Sequence, residues 1–154
     1  MSETIENRLK NLGVTLPVAA APAGSYVPYA QSGKLVFTAG QLPIKDGKLA
    51  ATGLLGRDLE TAAGQEAAKQ CAINVLAQAK AAIGDLSRIS RLVKITVFVA
   101  SAPNFTEQHL VANGASDFLV EVLGEAGRHA RSAVGVAVLP LNASVEIEAV
   151  IEVE

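Results

Sequence analysis

The sequence predicts a single-domain α+β fold: a mixed β-sheet with two helices on one face. Three observations predict it. Two stretches repeat their apolar residues at helical spacing, whereas the segments around them are short, β-branched and alternating. The two kinds of segment interleave in the order β-β-(β)-α-β-α-β-β, with no repeat or low-complexity tract between them. The length, 154 residues, suits one packed core.

Residues 1–25 read as an N-terminal extension and 26–154 as the folded domain. Within the extension, 16–24 (LPVAAAPAG) is an extended lead-in, because its prolines disfavour regular structure. Residues 26–30 and 34–39 form two short strands around a turn at Gln31, Ser32 and Gly33. Asp46-Gly47 is a strong turn signal, so 42–49 forms a further small hairpin.

From 58 to 83 the period becomes 3.6. Ala63, Ala67, Cys71, Val75, Ala79 and Ala82 make one stripe, with Asp58 as N-cap and Gly84 as C-cap. The segment 89–100 (ISRLVKITVFVA) is β-branched and apolar, a largely buried strand. Asn104, with Glu107 three residues on, resembles a capping box that opens a second helix running to about Leu123. That helix turns Leu110, Val111, Gly114, Phe118, Leu119 and Val122 inward. Gly124 and Gly127 end it, and strands over 130–138 and 144–153 close the chain. The sheet face without helices is left uncovered and fairly apolar, so the chain is expected to oligomerise.

Composition narrows the function. Half of the residues are hydrophobic and only 4% aromatic, so the core is built from Val, Ile, Leu and Ala. A net charge of -2 without a basic run argues against nucleic-acid binding. No apolar run approaches a membrane span, and the first twelve residues lack the apolar core of a signal peptide. With the lone Cys71, these features point to a cytoplasmic protein without a disulfide framework. The two histidines, His109 and His129, lack metal-ligand partners at sensible spacing, and no phosphate loop is present; no metal or cofactor is expected.

Alternation sorts the last two strands. Arg131, Ala133, Gly135 and Ala137 share a face, so the guanidinium stands over small residues, an arrangement that suits a carboxylate. A plain alternative has equal weight on strand pattern alone. If the two strands form a direct hairpin through 140–143, Arg131 sits near Glu152 and simply pairs with it.

Several segments resemble the RidA/YjgF family. Arg131-Ser132-Ala133-Val134-Gly135-Val136, then Leu139-Pro140, then Val145-Glu146-Ile147-Glu148-Ala149 is similar to its C-terminal signature. Phe37-Thr38-Ala39-Gly40-Gln41-Leu42-Pro43 resembles its early strand, and 94–99 (KITVFV) its central strand. The resemblance implies a homotrimer with sites at the subunit clefts, acting as a deaminase that hydrolyses 2-imino acids to 2-oxo acids. It implies that Arg131 binds the substrate carboxylate, that Glu146 positions the water, and that Gly40 contributes backbone contacts. A family tyrosine falls on Tyr26 by ungapped counting from Gly40, with Tyr29 as the competitor. The family's usual cysteine is replaced by Ala133 at the substrate-binding strand. Its helix asparagine falls on Ala112 when aligned through Phe118, with Asn113 beside it.

Two other readings stand beside the deaminase. The first is a non-catalytic member that holds a small carboxylate in the same cleft. The second is the family's older label of endoribonuclease or translation inhibitor, which this composition does not favour. His129 shares Arg131's face and reads as a rim or interface residue.

Overall fold

Seven strands and three α-helices follow one another in a computed structural model that describes residues 3–154. They are α1 (Ile5–Asn11), β1 (Tyr29–Ser32), β2 (Leu35–Thr38), β3 (Ile44–Lys45), β4 (Lys48–Leu49), α2 (Thr61–Ile83), β5 (Ile89–Ala100), α3 (Gln108–Leu123), β6 (Ala130–Val136) and β7 (Val145–Val153). Five strands form the main sheet in the order β1-β2-β7-β5-β6, and β3 pairs with β4 in a separate hairpin. The expected mixed α+β sheet is therefore present.

Turn chemistry explains the hairpins. Asp46 and Gly47 both have positive φ (53° and 79°), the left-handed pair that a tight two-residue hairpin needs. The first hairpin turns at Gly33 and Lys34 rather than at 31–33, since Ser32 pairs with Leu35. Its first strand starts at Tyr29 rather than at 26. Pro28 has no N–H to give a ladder, and its carbonyl accepts from Ala39 N at 2.8 Å.

The order of the sheet removes the simple reading of Arg131. β6 pairs in parallel with β5, through the crossover helix α3, while β7 runs antiparallel between β2 and β5. The direct hairpin of the last two strands does not form. Glu152 lies 3.9 Å from Arg91 instead, and Arg131 lies opposite Ile95.

All three helices cover one face. Val145, Ile147, Ala149, Ile151 and Val153 of β7 point into it, with Ile95, Val97 and Val99 of β5 beside them. The stripe from Ala67 to Ala79 is buried as expected, but so is every residue from Cys71 to Ala79, because α3 and the N-terminal segment flank α2 as well. Small residues permit that contact. A Cβ on Gly114 would stand 2.1 Å from the Gln65 carbonyl oxygen.

Two expectations at helix ends are corrected, and a further helix appears. α2 starts at Thr61 after Glu60; Asp58 instead accepts from Leu54 N at 2.8 Å and closes the preceding loop. α3 starts at Gln108, and Asn104 and Glu107 form no capping box. Glu107 accepts from the Thr61 hydroxyl at 2.6 Å, which ties the starts of the two helices together. A third helix, α1, lies within the N-terminal extension. Seven residues are marginal alone, but Thr4 caps Asn7 N, Leu9 is buried in the core, and Arg8 donates to the Val122 carbonyl at 3.1 Å.

The opposite face carries Phe37, Thr96, Phe98, Val134, Val150, Glu146 and Glu148 with no helix over them. Phe37 and Val134 are each 42% exposed. No helix among the described residues is long and apolar enough to cross a membrane.

Candidate functional site

Glu146 is held where β7 meets the end of β2. Gln41 and Ile147 exchange backbone hydrogen bonds of 2.8 and 3.0 Å just past β2, so Gly40 is pressed against the neighbouring Glu146 side chain. A Cβ at residue 40 would lie 2.2 Å from Glu146 Oε2. A side chain at residue 40 would push this carboxylate from its place, so glycine leaves it room. The half-buried position pushes the Glu146 carboxyl above the usual carboxylate range, chiefly by desolvation and then by the nearby charge of Glu148.

A cavity of about 340 Å³ opens at this carboxylate. Tyr26, Gly40 and Glu146 line it together with Pro140 and Leu141, and the extended segment 20–23 forms one wall. Leu141 and Asn142 both adopt left-handed φ (59° and 62°), a strained pair for residues with side chains. Tyr26, not Tyr29, belongs to this cavity. The Tyr29 hydroxyl donates to the Ala81 carbonyl on α2 at 3.3 Å, and its ring packs on the core.

Three buried amides, Gln41, Asn74 and Gln78, stand at this end of the sheet. Gln41 lies within the early-strand motif, whereas Asn74 and Gln78 belong to no motif and to no apolar stripe of α2. Asn74 donates to the carbonyls of Leu42 and Ile44 at 2.8 and 3.0 Å, and Gln78 to that of Ala20 at 2.9 Å. They fasten the loops that form the cavity walls.

Arg131 lies elsewhere. Its register partner Ile95 faces the helices, so Arg131 does too, and its fork reaches α3. Nη1 donates to Asn113 Oδ1 at 2.9 Å and to Ser116 Oγ at 3.1 Å, while Nη2 donates to the His109 carbonyl at 3.3 Å. Asn113 is thus the helix asparagine that meets the arginine. Ala112, the alternative from the alignment through Phe118, is fully buried in the core. Ala133 shares Arg131's face and packs partly against the core, away from the cavity at Glu146. The expected clear floor is partly covered, because a Cβ at Gly135 would meet Gln108 Nε2 at 2.8 Å.

Among the described residues, the charge on Arg131 has no acid beside it. The four ion pairs among the described residues are Arg57–Asp58, Lys80–Glu6, Arg91–Glu152 and Arg128–Glu125. Of the five guanidinium N–H groups, three are donated to neutral acceptors. Among the described residues, Nε–H and one Nη2–H are left over, a combination suited to a two-oxygen anion. Arg131 and Glu146 therefore lie on opposite faces of one sheet, two strands apart.

Cys71 is a buried free thiol. It is fully buried on α2, and burial pushes its thiol well above the usual range.

Comparison with known proteins identifies the lineage. A profile of the YjgF/chorismate mutase-like family, whose description also carries an endoribonuclease label, matches residues 6–153. Protein TCP17 of Trypanosoma cruzi is 52% identical over 98% of this chain and 95% of its own. A crystal structure of Atu1372 from Agrobacterium tumefaciens, of unknown function, superposes with a TM-score of 0.92 at 60% identity, covering 97% of this chain and 92% of that one. The 2-iminobutanoate/2-iminopropanoate deaminase of Dermatophagoides farinae is 29% identical over 92% of this chain and 95% of its own. The chain belongs to the RidA/YjgF family.

Proposed function

We propose that this protein is a hydrolytic deaminase of 2-imino acids, with each site assembled between two copies of the chain in a homotrimer. The observation that carries the reading is Arg131: a partly buried cation whose fork is braced by neutral acceptors and retains two unused N–H groups. Such a fork is shaped for a carboxylate. The deaminase name of the Dermatophagoides farinae relative supports the same chemistry.

The reaction asks little of the protein. The imine carbon is already electrophilic. With the carboxylate held on Arg131, that carbon is fixed in position. Glu146 takes a proton from water as the oxygen bonds to carbon, giving a tetrahedral carbinolamine. It then returns that proton to nitrogen and takes the hydroxyl proton as the C–N bond breaks, so ammonia departs and the 2-oxo acid remains. A carboxyl held above its ordinary range suits a group that must both accept and return a proton near neutrality. Tyr26 and Gly40 border the substrate in the cavity beside Glu146.

Arg131 and Glu146 of one chain face opposite ways, so the anchor of one copy must meet the carboxylate of the next. The uncovered apolar face, with Phe37 and Val134 in it, gives the copies a reason to associate. To test the activity, 2-iminopropionate is generated by an amino acid oxidase and its loss is followed with wild type and Arg131→Ala. Acceleration by wild type that vanishes in the variant supports the deaminase. No acceleration across several imines overturns it and leaves a protein that binds a small carboxylate without turnover.

A further inference from the structure

Behind Arg131 the hydrogen bonds continue. Ser116 Oγ, which accepts from Arg131 Nη1 at 3.1 Å, also lies 2.9 Å from His129 Nε2. His129 Nδ1 in turn lies 2.6 Å from the Gly127 carbonyl oxygen. A carbonyl can only accept, so Nδ1 carries a proton. In the neutral imidazole Nε2 is then bare and accepts the Ser116 hydroxyl proton. That leaves the Ser116 lone pairs turned to Arg131. Each donor and acceptor has one role, and the chain reads Arg131 to Ser116 to His129 to Gly127.

The elements make this chain stiff. Ser116 stands on α3, Arg131 on β6, and His129 in the short link after the turn Gly124–Gly127. Gly127 is itself wedged, since a Cβ there would stand 2.6 Å from the Leu119 carbonyl oxygen on α3. The imidazole is therefore anchored to a backbone that cannot drift from α3. Asn113, one helical turn before Ser116, holds Nη1 from the other side at 2.9 Å.

We propose that Ser116 and His129 are positioning residues that lock the Arg131 fork so that its remaining N–H groups face the substrate carboxylate. The inference rests on the reading of Arg131 as the carboxylate anchor. Neither residue touches substrate. A long arginine side chain with only Asn113 and the His109 carbonyl to hold it would sample several poses, and the anion would have to order it on binding.

The test is equilibrium binding of 2-oxobutanoate, the stable product of an imino acid, against the uncharged 2-oxobutanamide. The probes are applied by calorimetry to wild type, Arg131→Ala, Ser116→Ala, Ser116→Thr, His129→Leu and His129→Gln, each checked for an unchanged oligomer and melting point. Wild type prefers the carboxylate. Ser116→Ala and His129→Leu are expected to reduce that preference by about tenfold, as for one hydrogen bond to a charged group. Ser116→Thr keeps the hydroxyl and His129→Gln returns an acceptor near Nε2, so both restore most of it. A purely structural role would weaken both probes alike. An unchanged preference in Ser116→Ala and His129→Leu, or equal loss in His129→Leu and His129→Gln, overturns the clamp while the anchor stands. If Arg131→Ala itself keeps the preference, the anchor reading fails first and the clamp with it.

Discussion

Gly40→Ala isolates the geometry of the proposed water-positioning carboxylate with a single methyl group. The added Cβ would lie 2.2 Å from Glu146 Oε2 and 2.8 Å from its Cδ. An ordinary carbon–oxygen contact is about 1 Å longer, so the carboxylate has to retreat by about that much. Gly40 has no left-handed φ, so backbone strain does not enter and the effect is steric. Glu146 has one open side, and swinging it off its preferred rotamer costs about 0.5–1.5 kcal/mol. For a chain of this size that lowers the melting temperature by roughly 1–6 °C. A displacement of about 1 Å at a reacting group, by contrast, costs about a hundredfold in rate.

The expected result is therefore a protein that melts close to wild type and turns over 2-iminopropionate about a hundred times more slowly. Steady-state kinetics and a thermal melt on the same preparation measure both. The loss should also disappear when Glu146 is already Gln, because the two changes act through one carboxylate. Wild-type turnover in Gly40→Ala, or an equal further loss in the Glu146→Gln background, would refute the assignment of Glu146.

Three further predictions concern the surroundings. Glu146 has its folded-state carboxyl raised by burial and by Glu148, so its charged form is disfavoured in the native protein. Its contribution to stability is fully present below the unfolded-state value and is lost as pH rises through the folded one. Glu146→Gln should consequently raise the melting temperature at neutral pH, the gain shrinking as pH falls and vanishing below the unfolded-state value of about 4.3. Arg131→Lys keeps the charge but cannot reproduce contacts to Asn113, Ser116 and the His109 carbonyl while also chelating an anion. KM for the imino acid should rise by about 10- to 100-fold, measured by initial rates, as for losing one charged hydrogen bond. Gly114→Ala drives a methyl to 2.1 Å from the Gln65 backbone oxygen, which no side-chain rotation relieves. Denaturant unfolding should show a loss of about 3 kcal/mol as α2 and α3 separate.

The segments with one strong local preference were legible from sequence. The strand 89–100 is recovered with both its ends, because β-branched residues recur from Ile89 to Val99. Gly84 ends α2 with φ of 82°, as a glycine after an alanine-rich helix should. The ends chosen by competing polar groups were not. Asp58 had a loop amide to satisfy and Glu107 had Thr61, so neither capped as the local pattern suggested.

Strand order was hidden for a different reason. The insertion of β7 between β2 and β5 is decided by pairings far apart in the chain, such as Leu35 with Glu152 and Val99 with Val145, and no local period records them. That order decides the fate of Arg131, because it carries Glu152 away to Arg91 and brings α3 over the guanidinium. The helix asparagine shows how fine the margin is. A one-residue shift turns a helix position by about 100°. Ala112 therefore sits in the core while Asn113 reaches the arginine. For the site as a whole, the sequence supplied its two charged residues but not their placement on opposite faces.

That placement makes the shared site testable by complementation. Arg131→Ala and Glu146→Gln are each prepared alone and as a co-refolded equal mixture, with co-assembly checked by a size tag on one of them. Each variant alone is expected to turn over 2-iminopropionate far more slowly than wild type. In a ring where each site takes its arginine from one copy and its glutamate from the next, random mixing gives about one quarter of sites both native residues. The mixture should therefore recover about one quarter of wild-type turnover. No recovery in a mixture shown to contain both variants in the same oligomer would contradict a site built between copies.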